Sequence, residues 1–325
     1  MSPRRRQGRE EAMNFSAIPT ILLFVITLAA NLTASVIQTR YSRRTGGGLC
    51  ALYLYTAASA AVSALTVFLL AKCRLEFSAF TVWLALLFGA VVCLQQLTLL
   101  LALSKGPLSY TMVIVAMSTL ITALSGVLFW HEHLRAVQLV GIVLMVLCLV
   151  LSVKRESKKS GESGGRRLSA VWLLLALLAM AFNGGVGILQ KTHQSSAHKA
   201  ELPAFLFVAF AFCAVFSVLC YLFLTIRARG KRQETGAEES TAHSPRLSRN
   251  LIVLFLLSGV CVALCHCINL YLSGVVAAAV FFPIVNGGAL MLTTLASLLL
   301  FHERLSFTQW LGLALGAVAT FLLCM

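Results

Sequence analysis

The chain has 325 residues, of which 59% are hydrophobic and 11% charged, with a mean hydropathy of +0.90. A water-soluble globule carries about 25% charged residues, so the composition excludes an ordinary soluble enzyme or binding module and makes the bilayer the solvent. The formal net charge of +15 does not point to nucleic acid, because Lys and Arg sit in short gaps between apolar stretches and form no basic face with interleaved aromatics; a positive-inside bias accounts for them.

In chain order, residues 1–16 are an N-terminal tail, of which the charged stretch 1–12 resembles the n-region of a signal peptide. The apolar run that follows, Ala17 to Gln38, is too long for one and lacks a small-residue cleavage site, so it reads as a retained first helix. A bilayer core needs about 20 apolar residues per helix, and on that ruler the first half holds stretches at 17–38, 50–71, 78–103, 107–130 and 136–153. The linker KRESKKSGESGGRR, 154–167, is charged and rich in Gly and Ser. Five more stretches follow at 168–190, 201–226, 250–273, 275–301 and 307–324. The expectation is an all-α membrane protein of ten transmembrane helices, divided into a tail (1–16), a first five-helix unit (17–153), the linker (154–167) and a second five-helix unit (168–325). The ten cysteines fall almost entirely inside apolar stretches, where Cys behaves as a small hydrophobe, and they imply no disulfide framework.

The two units look alike. HEHLRAVQLVG at 131–141 returns as HERLSFTQWLG at 302–312, 171 positions later, at the same junction of two apolar stretches. Asn31 and Gln38 align with Asn183 and Gln190, and in both pairs the seven-residue spacing puts the two amides on one helix face, two turns apart. With an odd number of spans per copy, the second copy lies upside down in the bilayer, the layout of many secondary transporters. The side of the N-terminus carries nine Lys and Arg against seventeen on the other, or five against seventeen if the chain starts at Met13. This puts the linker and the 227–249 loop in the cytoplasm and both termini outside.

These residues resemble the EamA-type branch of the drug/metabolite transporter superfamily over nearly the whole chain from residue 17. The most specific marks are the paired HEHL and HERL segments, each followed by Gln and Gly in the next helix: Gln138 and Gly141, Gln309 and Gly312. The resemblance implies a ten-helix bundle of two inverted five-helix repeats around a central cavity, in which small organic solutes are bound and carried by alternating access. Two features depart from it. Members often have Gly where His131 and His302 stand, and many have cytoplasmic termini, against the charge count.

Glu132 and Glu303 are the acids repeated in both halves. A proton-coupling role is open to them, but both sit at predicted interfaces, where a carboxylate near the next helix N-terminus is favoured by the dipole, and Ser306 to Gln309 fit a capping box for the last helix. They read as structural latches, together with Gln138, Gln309, Gly141 and Gly312. The amides Asn31, Gln95, Gln96, Asn183, Asn269 and Asn286, with His266, are polar groups inside spans, where they serve either as interhelical glue or as a substrate site. Gln38 and Gln190 lie nearer the membrane faces, as gates or anchors. His266, flanked by Cys265 and Cys267, suits an interhelical hydrogen bond better than a proton relay or a metal, since neighbouring residues on a helix point in different directions. Gly184, Gly185 and Gly187 allow a close approach or a local break. Pro283, Gly287 and Gly288 make the ninth stretch the candidate for a discontinuous helix, with a plain packing kink as the alternative. Gly312 and Gly316 form a small-xxx-small packing face.

There is no Asp, and none of the eleven Glu lies in the middle of a stretch, so the cavity is expected to be neutral and amide-lined. The reading is a carrier of small neutral or zwitterionic metabolites, multi-pass in the plasma (inner) membrane, whose partners are the solute and the lipid bilayer. No catalytic residue, metal or cofactor is expected. A multidrug exporter of cationic compounds is the runner-up, and a scaffold or sensor without transport a third reading. A membrane-embedded enzyme would need clustered His, Asp or Glu at one face, which the chain lacks.

Overall fold

The computed structural model describes residues 15, 18–46, 48–131, 135–137, 139–141, 143–144, 147, 170–235, 249–300 and 307–323. Among them there is no strand. The helices are α1 (Thr20–Arg44), α2 (Leu49–Leu70), α3 (Ala79–Lys105), α4 (Leu108–Ala116), α5 (Ser118–Trp130), α6 (Ala170–Gln194), α7 (Leu202–Thr235), α8 (Arg249–Val275), α9 (Ala278–Leu300) and α10 (Phe307–Leu323), with a short 3-10 turn at Lys199–Glu201 before α7. Eight spans are long and apolar enough to cross a membrane, α4 and α5 counting together as one, and α10 contains a shorter apolar segment. The protein is therefore a multi-pass helical membrane protein.

Its helices are apolar on the outside as well as the inside. Ile21, Val25, Trp83, Leu174 and Phe223 are all more than half exposed, which suits lipid and would not suit water. Inside, small hydroxyl residues satisfy themselves locally, as a dry interior demands. Thr39 donates to the Ser35 carbonyl at 2.8 Å, Thr56 to Leu52 at 2.9 Å and Thr293 to Ala289 at 2.7 Å.

The two sequence halves pack mainly against each other: α2 on α7, α3 on α6 and α7, α8 on α1 and α2, α9 on α1, α4 and α5. At the α3–α7 crossing a Cβ on Gly89 would stand 2.6 Å from the Ala209 carbonyl oxygen. Only glycine lets the two backbones meet there. Phe88, Phe205 and Phe210 close the same interface, with the Phe88 and Phe205 rings 4.9 Å apart.

The helix break lies elsewhere than expected. α9 runs without interruption through Pro283, Gly287 and Gly288, and α6 through Gly184, Gly185 and Gly187. Pro283 is the sixth residue of its helix and forfeits a single backbone bond, to Ala279, too little to split a helix packed on several neighbours. Gly288 serves packing, since a Cβ there would come 2.9 Å from Leu28 on α1. The fourth stretch, which has neither Pro nor Gly at that point, is the one that divides. Met117 separates α4 from α5 with φ −65° and ψ −10°, and the ladder tightens there to three-residue bonds, Met117 N–H to Ile114 at 3.1 Å and Leu120 N–H to Met117 at 2.9 Å.

Several helices also run past their hydropathy limits, α6 to Gln194 and α7 to Thr235 among them. α1 continues past the hydropathy limit to Arg44, because Arg40, Arg43 and Arg44 point outward while Tyr41 and Ser42 stay buried. α5 ends at Trp130, where the expected stretch ends, and its cap His131 has a φ of +51°, the left-handed geometry of a helix C-terminus. Glu132, Gln138, Glu303, Ser306 and the linker lie outside the described residues, as does much of stretch 136–153. Gly141 and Gly312 are buried on helical backbone, and Gln309 is in α10 with its side chain outside the description.

Candidate functional site

A cavity of about 150 Å³ opens between α1, α3, α4, α6, α8 and α9, the first, third and fourth stretches of each sequence half. Asn31, Gln95, Gln96, Asn183, His266, Asn269 and Asn286 all line it. They come from five helices, α1, α3, α6, α8 and α9, and meet because each lies on a cavity-facing part of its helix. No Lys, Arg, Asp or Glu is among the described lining residues. The apolar part of the wall is Phe281, Phe282 and Val285 on α9, with Met112, Val115 and Leu290 nearby.

Gln38 and Gln190 line the cavity too. Both are buried, at 5% and 3% exposure. The seven-residue spacing that relates them to Asn31 and Asn183 keeps them on the cavity face, two turns further along, and the cavity is deep enough to reach them. Gln38 shares a hydrogen bond with the buried Tyr55 hydroxyl, which also bonds Ser258 on α8.

Two cavity amides meet the residues that follow Met117. Asn183 donates from Nδ2 to the Ser118 hydroxyl at 2.7 Å, and Asn286 from Nδ2 to the Thr119 hydroxyl at 2.9 Å. Ser118 and Thr119 are fully buried and begin α5. Two amides, from α6 and α9, therefore hold the start of a half-helix. Sequence reading missed both hydroxyls, and the signal available was a Ser-Thr pair within an apolar stretch. Above them α6 approaches closely: a Cβ on Gly187 would meet Thr122 at 2.5 Å and Phe282 at 2.8 Å, and one on Gly184 would meet Ile121 at 2.8 Å.

On α1 and α8 the amides are met through their oxygens. Asn269 accepts from the Thr27 hydroxyl at 3.0 Å, and Asn31 accepts from Ser35 at 3.4 Å. Cys265 also lines the cavity and donates from Sγ to the Thr27 carbonyl at 3.4 Å. His266 pairs through Nδ1 with the Gln190 amide at 3.3 Å, its ring edge-on to Phe88 and Phe210. Among the described residues no three His, Cys, Asp or Glu side chains are grouped to hold a metal. The site can offer neutral hydrogen bonds and an apolar floor, which is the equipment for binding a small polar solute.

No protein-family model matches the sequence, and no curated protein matches it. Among solved structures, one crystal structure, described simply as that of a protein, superposes with a TM-score of 0.59 at 16% identity, covering 92% of this chain and 98% of its own. A likeness at that identity concerns the fold alone.

Proposed function

We propose that this protein is a secondary carrier that moves small neutral or zwitterionic organic metabolites across a membrane by alternating access. In this reading it is an EamA-like member of the drug/metabolite transporter superfamily, with ten transmembrane helices in two inverted five-helix repeats, working in the plasma (inner) membrane. The observation that carries the proposal is the convergence of seven dispersed polar residues, chosen for being polar inside apolar stretches, on one uncharged cavity. Polar groups in a bilayer are costly and concentrate where they serve a pathway. The repeat supports it as well: the lining helices are the equivalent three of each half, as a pseudo-symmetric site at a repeat interface requires.

Size and charge favour a small metabolite over a cationic drug. A cavity of about 150 Å³ holds a solute of about benzene's size, whereas drug pockets run to about 300–1,000 Å³. A cationic compound would find no carboxylate among the described lining residues. The test is thermal unfolding of the purified protein against a panel of small neutral and zwitterionic metabolites. A solute that binds the native state at a hundred times its Kd stabilises by about 2.7 kcal/mol, a readily measured rise in Tm. If no member of the panel raised Tm, the carrier reading would fail.

A further inference from the structure

The cavity lining repeats itself along the chain. α1 contributes Asn31, Ala34, Ser35 and Gln38, and the α6 lining consists of the four residues 152 positions later. α3 contributes Gln95, Gln96 and Leu99, and α4 Met112, Val115 and Ala116; the residues 170 positions later, on α8 and α9, all line the cavity as well. Each described lining residue of the first half thus has a lining mate in the second. HEHL and HERL stand 171 apart, so one residue is gained between Asn286 and His302, the counterpart of the interval that divides at Met117. Equal pairs such as Asn31 and Asn183, Gln38 and Gln190, or Val115 and Val285 present the same chemistry to both ends of a solute. A site made only of equal pairs would hold the solute equally well either way round, so the unequal pairs choose its orientation.

The pair that changes most is Leu99 and Asn269. Leu99 packs into an aliphatic cluster with Met112, Val115, Ala116 and Leu290, all of them lining the cavity. Asn269 is tied to α1 by the Thr27 hydroxyl at 3.0 Å, and that single bond leaves the rest of its amide for a solute. Ala116 and Asn286 also exchange an apolar residue for an amide, but α9 itself supplies Leu290 to the cluster, so Asn286 marks no separate end. Gln96 and His266 are polar on both sides, as are Gln95 and Cys265, which gives its S–H to the Thr27 carbonyl at 3.4 Å. Ser35, the mate of Gly187, turns its hydroxyl to Asn31 on its own helix at 3.4 Å.

We infer that the solute has one polar and one aliphatic end, with the aliphatic end on the Leu99 cluster, and that Asn269 is the specificity-determining residue for the polar end. The inference rests on the carrier reading with its two inverted repeats. A solute polar at both ends would bury its second polar group against the Leu99 cluster without a partner, which weakens binding about tenfold or more.

The test compares two isosteric probes, malonamide and isovaleramide, in the second of which an isopropyl group replaces one carboxamide. Their Kd is measured by isothermal titration calorimetry on the full-length protein in detergent. The parent should bind isovaleramide about tenfold more tightly than malonamide. Asn269→Leu should weaken isovaleramide binding about tenfold. Adding Leu99→Asn to that variant moves the amide to the mate position and should bring the Kd back to within about threefold of the parent. A residue that only ties α8 to α1 would not be rescued from another helix. If the double variant does not fold, the two-probe comparison in the parent and the single variant decide. Malonamide bound as tightly as isovaleramide, Asn269→Leu binding isovaleramide like the parent, or a folded double variant without recovery would overturn the inference and leave the carrier reading standing. Binding of neither probe would overturn the inference alone if a metabolite of the earlier panel raises Tm, and both if none does.

Discussion

Asn183 donates an amide N–H to the Ser118 hydroxyl across 2.7 Å, tying the cavity face of α6 to the first residue after the break at Met117. Asn286 on α9 does the same for Thr119 at 2.9 Å. The two side chains meet α5 at the first two residues after the division. Both donors line the cavity, so the arrangement that shapes the site also fixes the start of α5.

The first expectation concerns that bond. Interhelical hydrogen bonds in membranes are worth about 0.6 kcal/mol on average and up to about 1.7, and this one is short and between buried partners. Ser118→Ala, Asn183→Ala and the double variant, compared by Tm in detergent, should show a coupling energy of about 1 kcal/mol. Additive effects would mean that the bond contributes nothing.

Two glycines should respond oppositely. Gly89→Ala forces a methyl group to within 2.6 Å of a helix carbonyl, that of Ala209, and overpacking of a tight interior costs about 1–3 kcal/mol. Gly185→Ala meets only Val91 Cγ1, at 3.4 Å. The alanine there should keep most of the helix-propensity gain of about 0.8–1.0 kcal/mol. Paired Tm measurements should place Gly89→Ala well below the parent and Gly185→Ala at or above it.

His131 stands at φ +51° at the end of α5. A side chain in that region costs about 1–2 kcal/mol, partly offset by the chain entropy a glycine adds to the unfolded state. His131→Gly is expected to raise Tm slightly, and His131→Val, β-branched, to lower it.

How far could this have been read from the residues alone? Hydropathy located the eight spans seen among the described residues, because a bilayer demands a fixed length of apolar helix and little else competes with that signal. It stopped α1 short because Arg40 is charged, although an arginine at the helix end reaches outward without ending the helix. The amides were legible for the same reason: Asn31, Asn183 and Asn286 are costly in lipid unless they face inward. What could not be read was the partner of each. Pro283 and Gly288 looked like a break because their local chemistry permits one, but α9 runs on through both, packed against its neighbours. Met117 looked continuous, and the partners of Ser118 and Thr119 just after it, Asn183 and Asn286, lie 65 and 167 residues away along the chain. Glu132 and Glu303, which mark the repeat most clearly in sequence, fall outside the described residues and take no part in the cavity description.

Glu201 forms a second inter-helix tie, outside the cavity. One carboxylate oxygen accepts from the Ser78 backbone N–H at 3.0 Å and from its hydroxyl at 2.7 Å, and the other faces His198 Nδ1 at 3.1 Å. Ser78 is the N-cap of α3, so the contact joins that helix to the turn before α7. Hydrogen bonds to charged groups are worth about 1.5–3 kcal/mol, and partial exposure lowers this. Glu201→Ala should cost about 1–2 kcal/mol in Tm measurements, with Glu201→Gln losing less because it keeps one acceptor oxygen.

The central claim is that the amide-lined cavity carries a solute across the membrane. Its most direct test is counterflow in proteoliposomes, using the neutral solute that raises Tm most and comparing the parent with Asn31→Leu. The parent should accumulate labelled solute transiently above its equilibrium level, while Asn31→Leu, with Tm close to that of the parent, should fall to the level of protein-free vesicles. Uptake by the parent no faster than in protein-free vesicles, or uptake unchanged in Asn31→Leu, would contradict the account.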